Sequence, residues 1–159
     1  MSMVLAFMLV RMGYSRCIPV SFMRKILYRS TSHDPFFNLA LENWLLHDCR
    51  QFAPTDNVLL LYQNRPCIVI GRNQNIWLEA HLELAQRGGI PVLRRWSGGG
   101  AVYHDPGNIN YSLHRAKSAF SRTFAAEMII SALNRKDLFL SSRHDIFQAL
   151  PDGTAAKVS

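Results

Sequence analysis

Ile26 and Tyr28 alternate with polar neighbours, and this period of two predicts a strand near residues 24–31. The pattern then lengthens. Asp34 is placed to cap free amides, Pro35 suits a first helical turn, and Phe37, Leu41, Trp44 and Leu45 recur at helical spacing, which predicts a helix with one apolar face. Two short β-rich runs, "NVLLLYQ" and "CIVIGR", are separated by Asn64-Arg65-Pro66 and read as adjacent strands joined in a hairpin, the second ended by Gly71. From Asn75 to about Arg87 the positions Trp77, Leu78, His81, Leu82 and Ala85 predict a second helix closed by Gly88-Gly89. Trp44, Trp77 and the phenylalanines at helical spacing are expected in the core.

Three strands follow: "IPVLRR" running into a triple glycine, "AVYH" leaving it, and "NINYSLHR" with Ile109, Tyr111 and Leu113 alternating. A third helix is predicted over roughly Ser121 to Asn134, with Ser121 or the residues before it as N-cap and Phe124, Met128, Ile129 and Leu133 on one side. The segment "HDIFQALPDGTAAKVS" reads as two short strands joined by a Pro-Asp-Gly turn. Strands that turn back as hairpins favour antiparallel pairing over a doubly wound sheet, so the expected fold class is α/β (α+β): a mixed, largely antiparallel sheet covered by helices. The last residues, Ala156-Lys157-Val158-Ser159, read as a strand stopping in mid-course, so a domain incomplete at its C-terminal end, from a short isoform or short gene model, is expected.

Composition narrows the class. A chain of 159 residues that is 48% hydrophobic can bury one sizeable core. Its net charge of +7 overstates the folded surface, because Arg11, Arg16, Arg24, Lys25 and Arg29 fall in the first thirty positions, which contain no acidic residue. A charge held in the head does not make a phosphate-binding face, so a nucleic-acid partner is not expected. The apolar run from Met3 to Val10 is too short to cross a bilayer, and its arginines follow it, unlike a secretory signal. An Arg-rich, Ser-containing, acid-free head over residues 1–25 reads as a mitochondrial transit peptide, with an unstructured start as the alternative. Cys17, Cys49 and Cys67 are an odd number without CxxC spacing, which suits a reducing compartment.

The candidate chemistry centres on "RRWSGGGAVYHD". Three glycines between two strands can be a flexible turn, or a nest of backbone amides for an anion when arginines stand beside it. Arg94 and Arg95 alternate across the strand, so one is expected to face the loop, and Arg72 after Gly71 is a third cation that can converge there. There is no Rossmann GxGxxG or P-loop GxxxxGK[ST] signature. His104-Asp105 and His144-Asp145, taken with Ser97 or Ser112, lack the elbow that presents a nucleophilic serine. Six histidines without His-x-x-x-His spacing argue against a metal site. Lys157 is read either as a solvated strand residue or as a point charge reaching the glycine site.

In order along the chain, "FFNLALENWLL", "VIGRNQNIWLEA", "RRWSGGGAVYHDPGNINYSL", "RHDIF" and "KVS" resemble the signature segments of the lipoate-protein ligase and lipoyltransferase family, over about residues 26–159. The resemblance implies a biotin/lipoate-ligase type catalytic domain that uses lipoyl-AMP, or lipoate with ATP and Mg, and passes the lipoyl group to a lysine of a partner. The implied acceptors are the lipoyl domains of 2-oxoacid dehydrogenase E2 subunits and the glycine cleavage H protein, in the mitochondrial matrix, with a monomeric enzyme and no membrane partner. By motif position, Arg72, Arg95 and the backbone of Gly98, Gly99, Gly100, Ala101, Val102 and Tyr103 would embrace the lipoyl-adenylate. Lys157 would be the catalytic lysine touching both the lipoyl carbonyl and the phosphate. Val69 and Val102 would line an apolar slot for the lipoyl tail. His144 stands where the family usually has Asn or Phe, and family members continue past "KVS", so a non-catalytic form that at most binds lipoyl-AMP or a partner is the alternative expectation.

Overall fold

A computed structural model of the chain describes residues 24–47, 52, 56–116, 121–142 and 144–158. The proposed leader falls almost wholly outside the described residues, as do Cys17 and Cys49. Three three-stranded sheets carry the described residues. In the first, β1 (Lys25–Arg29) runs parallel to β2 (Asn57–Tyr62), and β6 (Asn110–His114) closes the other edge of β2 antiparallel. In the second, β3 (Cys67–Ile70) lies between the parallel β4 (Val92–Arg94) and the antiparallel β5 (Val102–His104). The third is an antiparallel meander of β7 (Leu138–Leu140), β8 (Ile146–Ala149) and β9 (Ala155–Lys157). Four of the six pairings are antiparallel, which gives the mixed, largely antiparallel α/β architecture expected.

The expected β2–β3 hairpin does not form. Both edges of each strand are taken by other partners, and the connecting Asn64-Arg65-Pro66 carries the chain from one sheet to the next. That connector is pinned: the Arg65 N–H donates to the His33 carbonyl at 2.8 Å and the Asn64 side chain is fully buried. Burial on alternate positions of β2, and on three of four positions of β3, marks both as central strands. Parallel partners need a crossover, and helices supply it: α1 (Pro35–His47) between β1 and β2, and the pair α2 (Ile76–Glu79) and α3 (Leu82–Arg87) between β3 and β4. The single helix expected over 75–87 is broken because Ala80 is extended at φ −139° and ψ 138°. α2 is capped by the Asn75 side chain, which accepts from the Trp77 N–H at 3.1 Å, and Gly88 closes α3.

Asp34 caps α1 as expected, accepting from the Phe36 N–H at 3.0 Å. Its buried face agrees with the prediction at Leu41 and Leu45 and departs from it at Phe37 and Trp44. Asn38 and Leu45 are buried and Leu41 packs with Leu45 against Val58, Leu60 and Tyr62, whereas Phe37 and Trp44 are exposed. Leu39 on the same helix packs against Cys67, Val69 and Leu93, so α1 serves the cores of both the first and second sheets. Trp77 is exposed too, the least core-like of the predicted core aromatics. The third core joins α4 (Arg122–Leu133), through Ala126, Ile129 and Ile130, to Leu138 and Ile146, and leaves the predicted Phe124 and Leu133 exposed. Ser121 caps this helix, accepting from the Phe124 N–H at 3.2 Å. The strand β7 had no counterpart in the sequence pattern, while the Pro-Asp-Gly turn between β8 and β9 forms as predicted, with Gly153 at φ 82°.

Candidate functional site

The site is built where β3, β4 and β5 end together. Leaving β4, the Arg95 N–H donates to the Ile70 carbonyl at 3.0 Å, and the chain then turns through Ser97, Gly98, Gly99 and Gly100 before re-entering the sheet as β5. Gly99 has φ 99°, a left-handed value that a side chain would strain. A second loop, after β3, locks onto the first. The Arg72 N–H donates to the Ser97 carbonyl at 3.0 Å, and a Cβ at Gly71 would lie 2.0 Å from the Gly99 oxygen, so only glycine permits this approach. The Gln74 side chain accepts from the Gly71 N–H at 2.7 Å and holds that second loop closed.

Both arginines of the "RR" pair are committed to backbone carbonyls. Arg95 Nε and Nη2 donate to the Gly98 carbonyl at 3.2 and 2.9 Å, Nη2 to Gly100 at 2.7 Å, and Nη1 to Val69 at 3.2 Å. Arg94 Nη1 gathers the carbonyls of Gly71, Arg72 and Gln74 at 3.0, 3.0 and 2.7 Å. The alternation rule is thus obeyed in direction, but neither guanidinium simply awaits a ligand; each braces one of the two loops. The consequence is electrostatic. With the carbonyls of Gly98 and Gly100 turned onto Arg95, the N–H groups of Gly98, Gly99 and Gly100 donate to no partner among the described residues, in an exposed loop braced by that cation.

The other predicted residues are distributed unevenly. Arg72 is exposed beside the loop and forms no ion pair with a described acidic residue. Val102 and Tyr103 are exposed at the start of β5, and the Tyr103 carbonyl accepts from Asn108 Nδ2 at 3.0 Å. Val69 is buried in the second core beside Cys67 and Leu93. A cleft of about 250 Å³ opens instead between α1, the loop and β6, where Leu39, Leu46 and Leu113 supply apolar wall and Glu42 and Arg95 supply charge. Lys157 lies in the third sheet, its Nζ 3.0 Å from Asp145 Oδ1. Among the described residues no hydrogen bond or ion pair joins β9 to the glycine loop.

At the other end of β3, where Cys67 pairs with His104, lies a polar chain that hydrophobic periodicity does not reveal. Ser30 Oγ donates to Asn38 Oδ1 at 2.6 Å, Asn38 Nδ2 to Asn64 Oδ1 at 2.8 Å, and Asn64 Nδ2 meets His104 Nδ1 at 3.0 Å. Burial, then the positive charge of Arg95, holds the His104 pKa below its ordinary 6.5. Burial also pushes the Cys67 thiol up to about 11. Burial, reinforced by Glu42, which accepts from the Tyr62 hydroxyl at 3.3 Å, raises the Tyr62 phenol well above its ordinary range. The one signal in the sequence was an Asn inside the apolar helical run "FFNLAL", a polar residue where a core position was due.

Three loop amides without a described partner, the Arg95 cation and a cleft with apolar walls thus lie together at one end of the second sheet. The family model for the lipoyl protein ligase A/B catalytic domain matches residues 34–154, and the chain belongs to that family. It is 42% identical over 134 residues to a putative lipoate-protein ligase A of Schizosaccharomyces pombe, an alignment that covers 80% of this chain and 36% of that one. It is 39% identical over 140 residues to the human mitochondrial lipoyl amidotransferase LIPT1, with 84% and 37% covered. The crystal structure of P. falciparum LipL1 in complex with lipoate superposes with a TM-score of 0.64 at 32% identity, covering 77% of this chain and 40% of that one. A bipartite lipoate protein ligase of Thermoplasma acidophilum, studied with its E2 lipoyl domain, gives 0.63 at 26% identity, with 85% and 53% covered. The chain spans little more than a third of the length of these two curated relatives.

Proposed function

We propose that the loop of residues 95–101 holds the phosphate of lipoyl-AMP and that the chain takes part in lipoyl transfer to protein lysines. The single observation that carries this reading is the inversion of the glycine loop: its carbonyls are tied to Arg95, which leaves the amides of Gly98, Gly99 and Gly100 to face an anion. Arg72 supplies an exposed counter-charge beside the loop, and the backbone of Ala101, Val102 and Tyr103 continues the cradle along β5. The lipoyl chain is assigned to the cleft beside Leu39, Leu46 and Leu113, whose apolar walls suit an aliphatic tail. In transfer, the amine of an acceptor lysine attacks the acyl carbonyl, a C–N bond forms, the C–O bond to AMP breaks, and AMP leaves as the amine loses its proton. Lys157 is assigned the role of stabilising negative charge on the carbonyl oxygen and the phosphate, with Asp145 orienting its ammonium. Formation of the adenylate from lipoate and ATP with Mg, acceptors among E2 lipoyl domains and the glycine cleavage H protein, action as a monomer, and a mitochondrial matrix location complete the proposal; the mitochondrial human relative and the E2-linked archaeal structure support it.

The test is to incubate the chain with lipoyl-AMP and an apo E2 lipoyl domain and to weigh the acceptor by intact mass. A lipoyl adduct with stoichiometric AMP release, lost in Lys157→Met, is the expected result. No adduct under conditions where a full-length relative reacts would defeat transfer by this chain. A second reading, binding of lipoyl-AMP without transfer, is favoured by the pairing of Lys157 with Asp145 in a sheet that makes no polar contact with the loop among the described residues. Binding without an adduct would decide for it.

A further inference from the structure

The chain Ser30–Asn38–Asn64–His104 has a direction, and that direction can be worked out from its far end. Asn38 is fully buried, and its Nδ2 lies 2.9 Å from the Ser32 carbonyl and 3.1 Å from the Gln63 carbonyl. Backbone carbonyls only accept, so the Asn38 amide nitrogen must face them and its oxygen must face the Ser30 hydroxyl. The same Nδ2 approaches Asn64 at 2.8 Å, which requires the Asn64 oxygen on that side. The Asn64 amide nitrogen is then left facing His104 Nδ1 at 3.0 Å, and a donor facing Nδ1 requires Nδ1 to be bare. Two peptide carbonyls thus dictate where a proton sits three links away.

We propose that Asn64, oriented by Asn38, is a positioning residue for the adenylate nest: it fixes His104 as the neutral imidazole with its proton on Nε2, so that the Arg95 cation bracing the glycine loop has no second cation beside it. The tautomer follows from the hydrogen bonds alone; its effect on ligand binding rests on the reading of the nest given above. His104 is on β5 opposite Cys67, two residues beyond the first strand residue after the loop. The groups that bear on the ring are Arg95 at the end of β4, Glu42 on α1, Tyr62 on β2 through its bond to Glu42, and Cys67 on β3, with Asp105 next in the chain. Arg95 opposes a charge on the ring and Glu42 favours one, in that order of weight. Protonating Nδ1 would set N–H against N–H at Asn64 and a second cation beside Arg95, whose bonds to three carbonyls shape the nest.

The experiment is long-range ¹H–¹⁵N correlation NMR on the full chain labelled at histidine, across pH 5.5–8, on the unmutated protein and on Asn64→Asp. The unmutated protein should show His104 with a bare Nδ1 and a protonated Nε2 at pH 7, and titrating below the ordinary histidine range. In Asn64→Asp the new carboxylate accepts from Nδ1, so the proton moves to Nδ1 and the titration moves to higher pH. Lipoyl-AMP affinity at pH 7 should fall about tenfold in this variant, the weight of one mis-set buried hydrogen bond. An Nδ1–H tautomer or an imidazolium at pH 7 in the unmutated protein overturns the proposal, and so does an unchanged tautomer in Asn64→Asp. The first measurement needs no variant to fold. A chain with the expected tautomer that fails to bind lipoyl-AMP contradicts the ligand assignment and leaves the tautomer assignment standing.

Discussion

Replacing Gly71 with alanine puts one methyl group into the contact that locks the two loops together. The added carbon would meet the Gly99 oxygen at 2.0 Å, the Gly99 carbonyl carbon at 3.0 Å and Gln74 Oε1 at 3.3 Å. Backbone cannot swing aside as a side chain does, so the glycine loop must retreat by about 1.4 Å to restore an ordinary contact. That movement stretches the Arg72 N–H bond to Ser97 and the Arg95 bonds to Gly98 and Gly100, which are 3.0, 2.9 and 2.7 Å long. Overpacking plus weakened bonds predicts a cost of about 2–3 kcal/mol, which for a chain of this size lowers the melting temperature by roughly 4–12 °C. Gly98→Ala is the matched control: nothing lies within 4 Å of its added carbon and its φ is not left-handed, so its melt should stay within about 0.5 kcal/mol of the parent. Gly99→Ala falls between them, strained by φ 99° and with its carbon 2.8 Å from the movable Arg95 Nη2, at about 1–2 kcal/mol. Thermal denaturation followed by circular dichroism ranks the three. Equal melting temperatures for Gly71→Ala and Gly98→Ala would refute the interlocked-loop geometry.

Ser121→Ala removes the oxygen that accepts from the Phe124 N–H and should destabilise the chain by about 1 kcal/mol, measured in urea. His144 has φ 66°, the left-handed region that asparagine and glycine tolerate better, so His144→Gly should stabilise by about 0.4–1 kcal/mol in the same assay. His104 and His114 both have pKa values lowered by burial from 6.5, so below pH 6.5 the unfolded chain binds protons that the folded chain refuses. Stability should therefore be level above pH 6.5 with respect to these two groups and decline on acidification below it, and His104→Gln should flatten part of that slope in a melting series against pH.

The glycine loop and its flanking arginines were legible in the sequence because they are local. A triple glycine with arginines before it and a β-rich run after it has few uses, and the cap residues Asp34 and Ser121 announce helix starts through bonds that span two or three residues. What failed to show was set by tertiary partners. No local rule says that β2 and β3 will each be claimed on both edges, so two adjacent strands read as a hairpin. Ala80 is a good helix former, and nothing in its neighbourhood marks the extended break between α2 and α3. On α1 the predicted apolar face included Phe37 and Trp44, yet the buried face centres on Asn38, whose hydrogen bonds repay its burial and which no hydrophobic pattern could select. The same blindness hid Asn64 and its contact with His104. The arginines were found, but their bonds to loop carbonyls were not, since a guanidinium that shapes a loop and one that grips a ligand look alike in a sequence.

Calorimetric titration of lipoyl-AMP into the chain tests the central claim, that the braced glycine loop is an acyl-adenylate nest. A saturable 1:1 isotherm is predicted, at least about tenfold tighter than for AMP or lipoate alone and weakened at least about tenfold by Arg95→Met, which releases the loop carbonyls. No measurable heat with lipoyl-AMP, or equal affinity in the parent and Arg95→Met, would contradict it.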